Sequence, residues 1–360
     1  MLDIESLDDK IRKVRAERYA CQAVARKALP SERVGMCLRM RNGDFVSVHK
    51  HRKTNKSFYG GLLVCGSVWT CPICAAKISE KRRGELKTAF DTHLSNGGFI
   101  SMLTLTFSHQ KIDKLEDILK RFGQATQKMM TGRAYQNIRE EMGIIGRVRV
   151  FEVTYGDNGF HPHAHIAIFH ENEVDLQTMR LKMYNLWEKA CNKFELKTNY
   201  LHGLDLQSAE DAEDYMSKHG TWSLEQELSK SHIKKAKNGS LSPFDFLRLY
   251  LQSEDKKLLN LFREYARCFK GKRQIQWSQG LKKRFIIEEK TDEDLSKEKL
   301  EEADLLGLLD YDQWKLVLKY DLRAKLLENV ERYGFDAGLE LTMLNKKRIF
   351  KAEDSQLITK

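Results

Sequence analysis

The strongest constraint on this chain of 360 residues is the segment Phe160–Phe169, in which histidines alternate with small or apolar residues. Successive side chains of an extended strand point to opposite faces, so His161, His163 and His165 share one face. The residues between them form a second face that can pack on a core. Three imidazoles on one face favour binding of a divalent cation. A histidine-rich, exposed strand that binds no metal is the alternative.

The turn Gly156–Gly159, which reads Gly-Asp-Asn-Gly, precedes this strand and predicts a β-hairpin. If Tyr155 pairs with Phe160, Glu152 lies directly opposite His163, with the two Cβ atoms about 5 Å apart. A carboxylate and imidazoles then converge on one ion. A slip of one residue in this register would turn Glu152 to the other face.

Hydrophobic periodicity predicts that strands and helices alternate through the middle of the chain. Ser208 with Asp211 resembles a capping box, and Pro243 after Ser242 indicates another helix start. The predicted helices cover residues 4–28, 77–94, 112–129, 174–194 and 311–344. The predicted strands cover residues 99–107, 146–155, 161–169 and 201–207.

The seven cysteines favour metal binding or buried thiols, because an odd number argues against a disulfide framework. Cys71 and Cys74 form a C-x-x-C pair, and Cys65 and Cys37 lie in the same segment. Four thiolates predict a structural Zn²⁺ site. A redox C-x-x-C is the alternative, but it needs a thioredoxin-like setting that the sequence lacks. The remaining cysteines fall in helical patterns and are predicted to be buried: Cys21, Cys191 and Cys268.

A short helical pattern places Asp211, Tyr215, Lys218 and His219 on one face. A tyrosine beside a cation is typical of an activated nucleophile, because the cation favours the phenolate. A core tyrosine next to a surface lysine is the alternative, which this pattern by itself favours.

The net charge of +11 favours a polyanionic partner, although an ordinary basic cytosolic protein is equally consistent with it. No apolar run is long enough to span a membrane. The N-terminus lacks the basic and then apolar order of a secretory signal, so we expect a cytoplasmic protein.

Taken in chain order, five segments resemble the rolling-circle replication initiators of small bacterial plasmids, members of the HUH endonuclease superfamily. The resemblance covers roughly residues 35–285. The segments are CPICAAKISEKRRGEL, the strand Met102–Phe107, HPHAHIAIF, YMSK, and the tail in which Ser242–Asp245 precedes GKRQIQWSQGL.

The resemblance implies that His163 and His165 are the metal-binding pair, with His161 outside it. Relatives take a third ligand from an upstream acidic residue, which agrees with Glu152 from the hairpin register. The expected ion is Mg²⁺ or Mn²⁺. Tyr215 matches the tyrosine that nicks DNA.

Lys218 matches a lysine one helical turn after that tyrosine. Some relatives carry a glutamate one turn before the tyrosine, as a base that activates water at termination. This chain has Asp211 there, and His219 is an alternative base.

The implied fold is α+β, a central antiparallel sheet flanked by helices, with a zinc module and a helical C-terminal region. The predicted domains are an N-terminal helix (1–33), the zinc-bearing module packed on the nuclease domain (34–95), the nuclease domain (96–285), an acidic linker (286–310) and the C-terminal helical region (311–360).

The expected partners are single-stranded and origin DNA, with a host helicase and a host polymerase. The alternatives are a relaxase or transposase with the same chemistry, or a non-enzymatic zinc-dependent DNA-binding regulator. The oligomeric state and the recognised sequence stay open. The predicted DNA contacts, for which solvated basic loops are the alternative, are Lys230, Lys234, Lys235, Lys237, Lys272, Arg273 and Trp277.

Overall fold

The computed structural model of the chain describes residues 7–208, 240–297 and 300–344. These residues form two compact units. The first combines the part before Ala75 with the part from Asp292 onward, and the second runs from Ala75 to Thr291. None of the helices in the described ranges is long and apolar enough to cross a membrane.

The helices are, in chain order, α1 (Leu7–Ala28), α2 (Pro72–Ser95), α3 (Leu115–Met129), α4 (Arg133–Met142), α5 (Leu176–Lys193), α6 (Pro243–Ser253), α7 (Lys256–Phe269), α8 (Leu281–Arg284), α9 (Asp292–Ser296), α10 (Tyr311–Lys319) and α11 (Arg323–Tyr333). Residues 335–344 are also helical. The strands are β1 (Val46–His51), β2 (Ser57–Gly60), β3 (Phe99–Leu105), β4 (Ile144–Gly156), β5 (Gly159–His170), β6 (Leu204–Ser208), β7 (Ile275–Trp277) and β8 (Ala303–Leu309).

The second unit contains a five-stranded sheet in the order β6-β3-β5-β4-β7. Every neighbouring pair in it is antiparallel. The histidine strand β5 is therefore the central strand. The predicted central antiparallel sheet with flanking helices is confirmed, as is the helical C-terminal region.

The hairpin between β4 and β5 closes through a two-residue turn, with Gly156 paired to Gly159. Gly159 has a φ of +87°, a left-handed conformation that glycine adopts without a steric penalty. The pairing places Tyr155 opposite Phe160 and Glu152 opposite His163. The register predicted from the turn is confirmed.

Apolar side chains cover both faces of the sheet at β4. Successive residues of this strand point to opposite faces, so each face has its own contacts. Val150 belongs to a buried cluster that includes Phe90 of α2 and Phe169 of β5. Phe151 points the other way, and its ring lies 5.8 Å from that of Phe122 in α3. The central strands are thereby held between two apolar layers.

The first unit contains a three-stranded sheet in the order β2-β1-β8. Strand β8 lies within residues 286–310, which the sequence predicted to be an acidic linker. Most of the acidic residues of this segment precede the strand, and the run Ala303–Leu309, in which Asp304 is the one charged residue, is apolar enough to pair with β1. The first unit also groups the N-terminal helix with the C-terminal helices, which differs from the predicted division by chain order.

We predict that Phe169→Ala lowers the free energy of unfolding by about 3–5 kcal/mol, because a fully buried ring would leave a cavity in the central strand. Urea denaturation of the full chain measures this loss. Phe99→Ala is the matched control, since Phe99 is 37% exposed on the neighbouring strand and should cost much less. Equal losses in the two variants would contradict this account of the core.

Candidate metal centre

Glu152, His163 and His165 bring three potential ligand atoms together on one face of the sheet. Glu152 Oε2 lies 3.1 Å from His163 Nε2 and 3.8 Å from His165 Nε2. The Glu152 side chain is only 3% exposed, whereas those of His163 and His165 are 15% and 12% exposed. The carboxylate of this cluster is therefore buried, and its two imidazoles are partly exposed to solvent.

The hydrogen bonds around the imidazoles direct their Nε2 atoms toward the carboxylate. His163 Nδ1 lies 3.3 Å from the backbone carbonyl of His161, which can only accept, so Nδ1 carries the hydrogen. His165 Nδ1 lies 3.1 Å from Thr104 Oγ1 and donates to it in the corresponding tautomer. In the neutral rings, both Nε2 lone pairs then point toward Glu152.

A cation placed between these lone pairs and the carboxylate would interact favourably with all three groups. Ligands bound at about 2 Å to one Mg²⁺ ion in octahedral geometry lie about 3 Å apart. The 3.1 Å contact between Glu152 and His163 is close to that spacing. Two imidazoles and one carboxylate at this spacing are a donor set that fits a small divalent cation.

His161 shares the strand face but has different partners. Its Nε2 lies 2.8 Å from Thr106 Oγ1. Burial, and then the neighbouring His163 and His109, lower the pKa of His161 to about 3. His161 is therefore neutral at ordinary pH, and its Nε2 atom is engaged by Thr106 rather than by Glu152.

The sequence reasoning missed Thr104 and Thr106, which fix His165 and His161 through their hydroxyls. Thr104 lies opposite His165 in the pairing of β3 with β5. The two threonines are spaced by two residues, as are the histidines. This shared spacing is the sequence feature that could have indicated that the two sets of side chains face each other across paired strands. The pairing of two strands so distant in sequence is a property of the fold.

The cysteines Cys37, Cys65, Cys71 and Cys74 form a second cluster, which lies in the first unit and is buried. The Sγ atom of Cys74 lies 3.5 Å from that of Cys37 and 3.7 Å from that of Cys65. Sulfur atoms at about 2.3 Å from one tetrahedral Zn²⁺ lie about 3.8 Å apart. The four thiols therefore fit a closed tetrahedral site.

Gln22 and Arg323 support the cysteine cluster from two different helices. Gln22 Nε2 donates to Cys71 Sγ (3.4 Å) and to the carbonyl of Cys37 (3.2 Å). Arg323 Nη1 donates to Gln22 Oε1 (2.8 Å). Burial and the neighbouring thiols raise the pKa of Cys71, and a bound cation would reverse this effect by stabilising the thiolate. The other cysteines are buried, as predicted: Cys21, Cys191 and Cys268.

Several predicted site residues lie outside the described residues. They are the proposed catalytic residues Asp211, Tyr215 and Lys218, and the predicted DNA contacts Lys230, Lys234, Lys235 and Lys237. Their roles stay predictions.

The remaining predicted DNA contacts precede or belong to the edge strand β7. Lys272 and Arg273 are exposed. Trp277 packs against the buried cluster of the second unit, and Lys282 Nζ lies 5.6 Å from its ring centroid. The protein itself engages the Trp277 ring, so the structure adds no support for stacking of this side chain on a base.

The fold and the site define an α+β protein in which the β4–β5 hairpin, at the centre of the antiparallel sheet, presents a His-His-Glu set of potential metal ligands. The chain matches the profile of a family described as replication protein over residues 63–326. It therefore belongs to the replication protein (Rep) family, and the resemblance to Rep proteins is confirmed.

The chain is also similar to two curated relatives, one of which carries the name of a Rep protein. The chain is 27% identical over 290 residues to a protein named Protein rep from Streptomyces lividans, covering 62% of this chain and 63% of the relative. It is 32% identical over 133 residues to a protein named Neomycin resistance protein from Streptomyces cyanogenus, covering 30% of each. The matched region thus spans less than two thirds of either relative. No solved structure matches the chain.

Proposed function

We propose that this chain is a plasmid rolling-circle replication initiator that nicks and rejoins single-stranded origin DNA. The observation that carries the proposal is the convergence of Glu152, His163 and His165 on one face of the central β4–β5 hairpin in a Rep family protein. A ligand set of this kind, open toward solvent, suits a metal-dependent reaction on phosphate esters.

Glu152, His163 and His165 would hold Mg²⁺ or Mn²⁺. The chemistry that such an ion supplies is polarisation of a phosphate oxygen, which favours in-line attack on phosphorus. Thr104 orients His165 through its hydroxyl, and the buried Glu152 provides the negative charge that holds a cation at the sheet surface. The carboxylate and the open positions are consistent with either ion.

Tyr215 is the proposed nucleophile. Its phenolic oxygen attacks the scissile phosphorus, the bond from phosphorus to the 3′ oxygen breaks, and the released 3′-hydroxyl primes synthesis. The 5′ end stays joined to the tyrosine as a phosphodiester, so a later 3′-hydroxyl can reverse the attack and rejoin the strand. Lys218 offsets negative charge on the phosphate or the phenolate, and Asp211 is the proposed base at termination, with His219 as the alternative.

The proposed partners follow from this chemistry. Single-stranded origin DNA is the substrate, while a host helicase and a host polymerase unwind and copy the template in the cytoplasm. The exposed Lys272 and Arg273 are suitable for contacts with phosphates, because each neutralised phosphate releases a counterion.

We further propose a structural zinc ion at Cys37, Cys65, Cys71 and Cys74. The sulfur spacing and complete burial of these side chains support a closed site without a position for substrate. Arg323 and Gln22 connect this site to the helices at either end of the chain.

We predict that the full chain, mixed with Mn²⁺ and short single-stranded oligonucleotides tiled across its replicon, forms a covalent adduct with one of them. Denaturing electrophoresis detects the adduct. Tyr215→Phe should abolish it, because the variant lacks the attacking oxygen. Tyr200→Phe is the matched control, since Tyr200 is an exposed tyrosine. This variant should form as much adduct as the native chain.

An adduct that persists in Tyr215→Phe would show that another residue is the nucleophile. Tight, sequence-specific binding without an adduct in the native chain would instead indicate a DNA-binding regulator. A nick that lies outside the origin of the replicon would favour a relaxase or a transposase.

We predict that His163→Ala and His165→Ala each weaken Mn²⁺ binding at least ~10-fold and abolish adduct formation, because each removes one ligand. Calorimetric titration of the full chain with Mn²⁺ measures the affinity. His202→Ala is the matched control, as His202 is exposed in a loop. Unchanged Mn²⁺ affinity in both ligand variants would rule out this site.

We predict that Cys71→Ser lowers the zinc content of the purified protein and its melting temperature, because a hydroxyl replaces one thiolate ligand. Atomic absorption and thermal unfolding measure the two effects. Cys268→Ser replaces a buried cysteine outside the cluster and should retain the zinc. A stable Cys71→Ser protein with full zinc content would contradict the structural site.

A further inference from the structure

A cavity of about 480 Å³ lies at the turn end of the β4–β5 hairpin, within the second unit. We call it the hairpin cavity. Its lining includes Phe107, His109, Thr154, Asn158 and His161. The potential metal ligands Glu152, His163 and His165, which we call the ligand cluster, are not among its described lining residues.

Aromatic rings form one side of the hairpin cavity. The ring centroids of His109 and His161 lie 4.8 Å apart, and the two planes are inclined by 32°. Phe107 backs them, with its centroid 6.1 Å from that of His109. The hydrogen bond between Thr106 and His161 fixes the position of one imidazole. These rings offer a surface on which another flat ring can stack.

The remaining lining residues that the structure describes are polar or glycine. Thr154, Asn158 and Asp157 contribute hydroxyl, amide and carboxylate groups. Among the described lining residues there is no lysine or arginine, and the Asp157 carboxylate repels anions. The described lining of the hairpin cavity therefore suits an uncharged, hydrogen-bonding, flat group better than a phosphate.

The hairpin cavity lies directly beside the ligand cluster. His161 and His163 point to the same face of β5, and their ring centroids are 5.7 Å apart. Across the hairpin, Thr154 pairs with His161 and Glu152 pairs with His163. The wall of the cavity is thus two residues along each strand from the ligand cluster. The distance of 5.7 Å between the His161 and His163 rings is comparable with the spacing of neighbouring nucleotides in a DNA strand.

We propose that the hairpin cavity binds a single nucleobase of the DNA strand, next to the phosphate held at the ligand cluster. The base stacks on His109, and Thr154, Asp157 and Asn158 lie within the cavity to hydrogen-bond its edge. A cavity of this size is adequate for one base with its sugar. This inference rests on the proposed function, because it takes single-stranded DNA as the substrate.

Abasic scanning tests the proposal in the full chain carrying Tyr215→Phe, so that no covalent bond forms. The probe is the tiled single-stranded oligonucleotide that binds most tightly, with each base in turn replaced by an abasic site. Fluorescence anisotropy measures each Kd. At one position, loss of the base should weaken binding about ten-fold, the order of magnitude of one base–aromatic stacking contact.

In the same background, His109→Ala should weaken binding of the intact oligonucleotide about ten-fold and should remove the sensitivity at that one position. His109→Phe keeps a flat ring and should retain most of the affinity, which separates stacking from a folding defect. His202→Ala is the matched control and should leave every Kd unchanged.

If His109→Ala weakens binding equally at all positions, or not at all, the base-binding role is wrong while adduct formation by the native chain is unaffected. If position-specific coupling is found but the native chain forms no adduct, the nicking function fails and the base pocket stands. If no single-stranded oligonucleotide binds, both proposals fail.

Discussion

The central constraint in this protein is the pairing of β4 with β5, which seats the buried Glu152 carboxylate against the imidazoles of His163 and His165. A buried carboxylate is costly unless positive charge or hydrogen bonds compensate it. The register that brings the three groups together follows from a two-residue turn and a left-handed Gly159. A shift of one residue would send Glu152 to the opposite face, among the apolar side chains that contact α3. The ligand set therefore depends on a local feature of the backbone.

Three histidines on one strand face acquire different environments from their neighbours. His165 and His163 direct nitrogen atoms toward Glu152, whereas His161 bonds Thr106 and lies against the His109 ring on one side of the hairpin cavity. Residues of β3 and the loop after it produce this difference between the two potential ligands and the third imidazole. Thr104 contacts His165, whereas Thr106 and His109 contact His161. In the proposed function, His163 and His165 belong to the site that holds a phosphate, and His161 belongs to the neighbouring site that holds a base.

The first unit relies on contacts between segments that are far apart in the chain. Arg323 of α11 donates to Gln22 of α1, and Gln22 donates to Cys71 in the cysteine cluster. Arg323 is 1% exposed, and its guanidinium donates to Gln22 Oε1, the Leu38 carbonyl and Asp321 and lies over the Tyr19 ring. The C-terminal helices thus complete the surroundings of the cysteine cluster. Replacement of a buried, hydrogen-bonded arginine would disturb both ends of the chain at once.

The sequence alone determined the hairpin, its register and hence the Glu152–His163 pair, because side-chain alternation and turn chemistry act over a few residues. It also determined the grouping of four cysteines and the order of motifs that identifies a Rep family protein. Only the tertiary structure decided which hydroxyls orient the imidazoles, that β8 joins β1 within a segment expected to be a linker, and that α1 and α11 share one unit. These features depend on contacts between distant segments, and their energies come from packing and burial that no local pattern encodes.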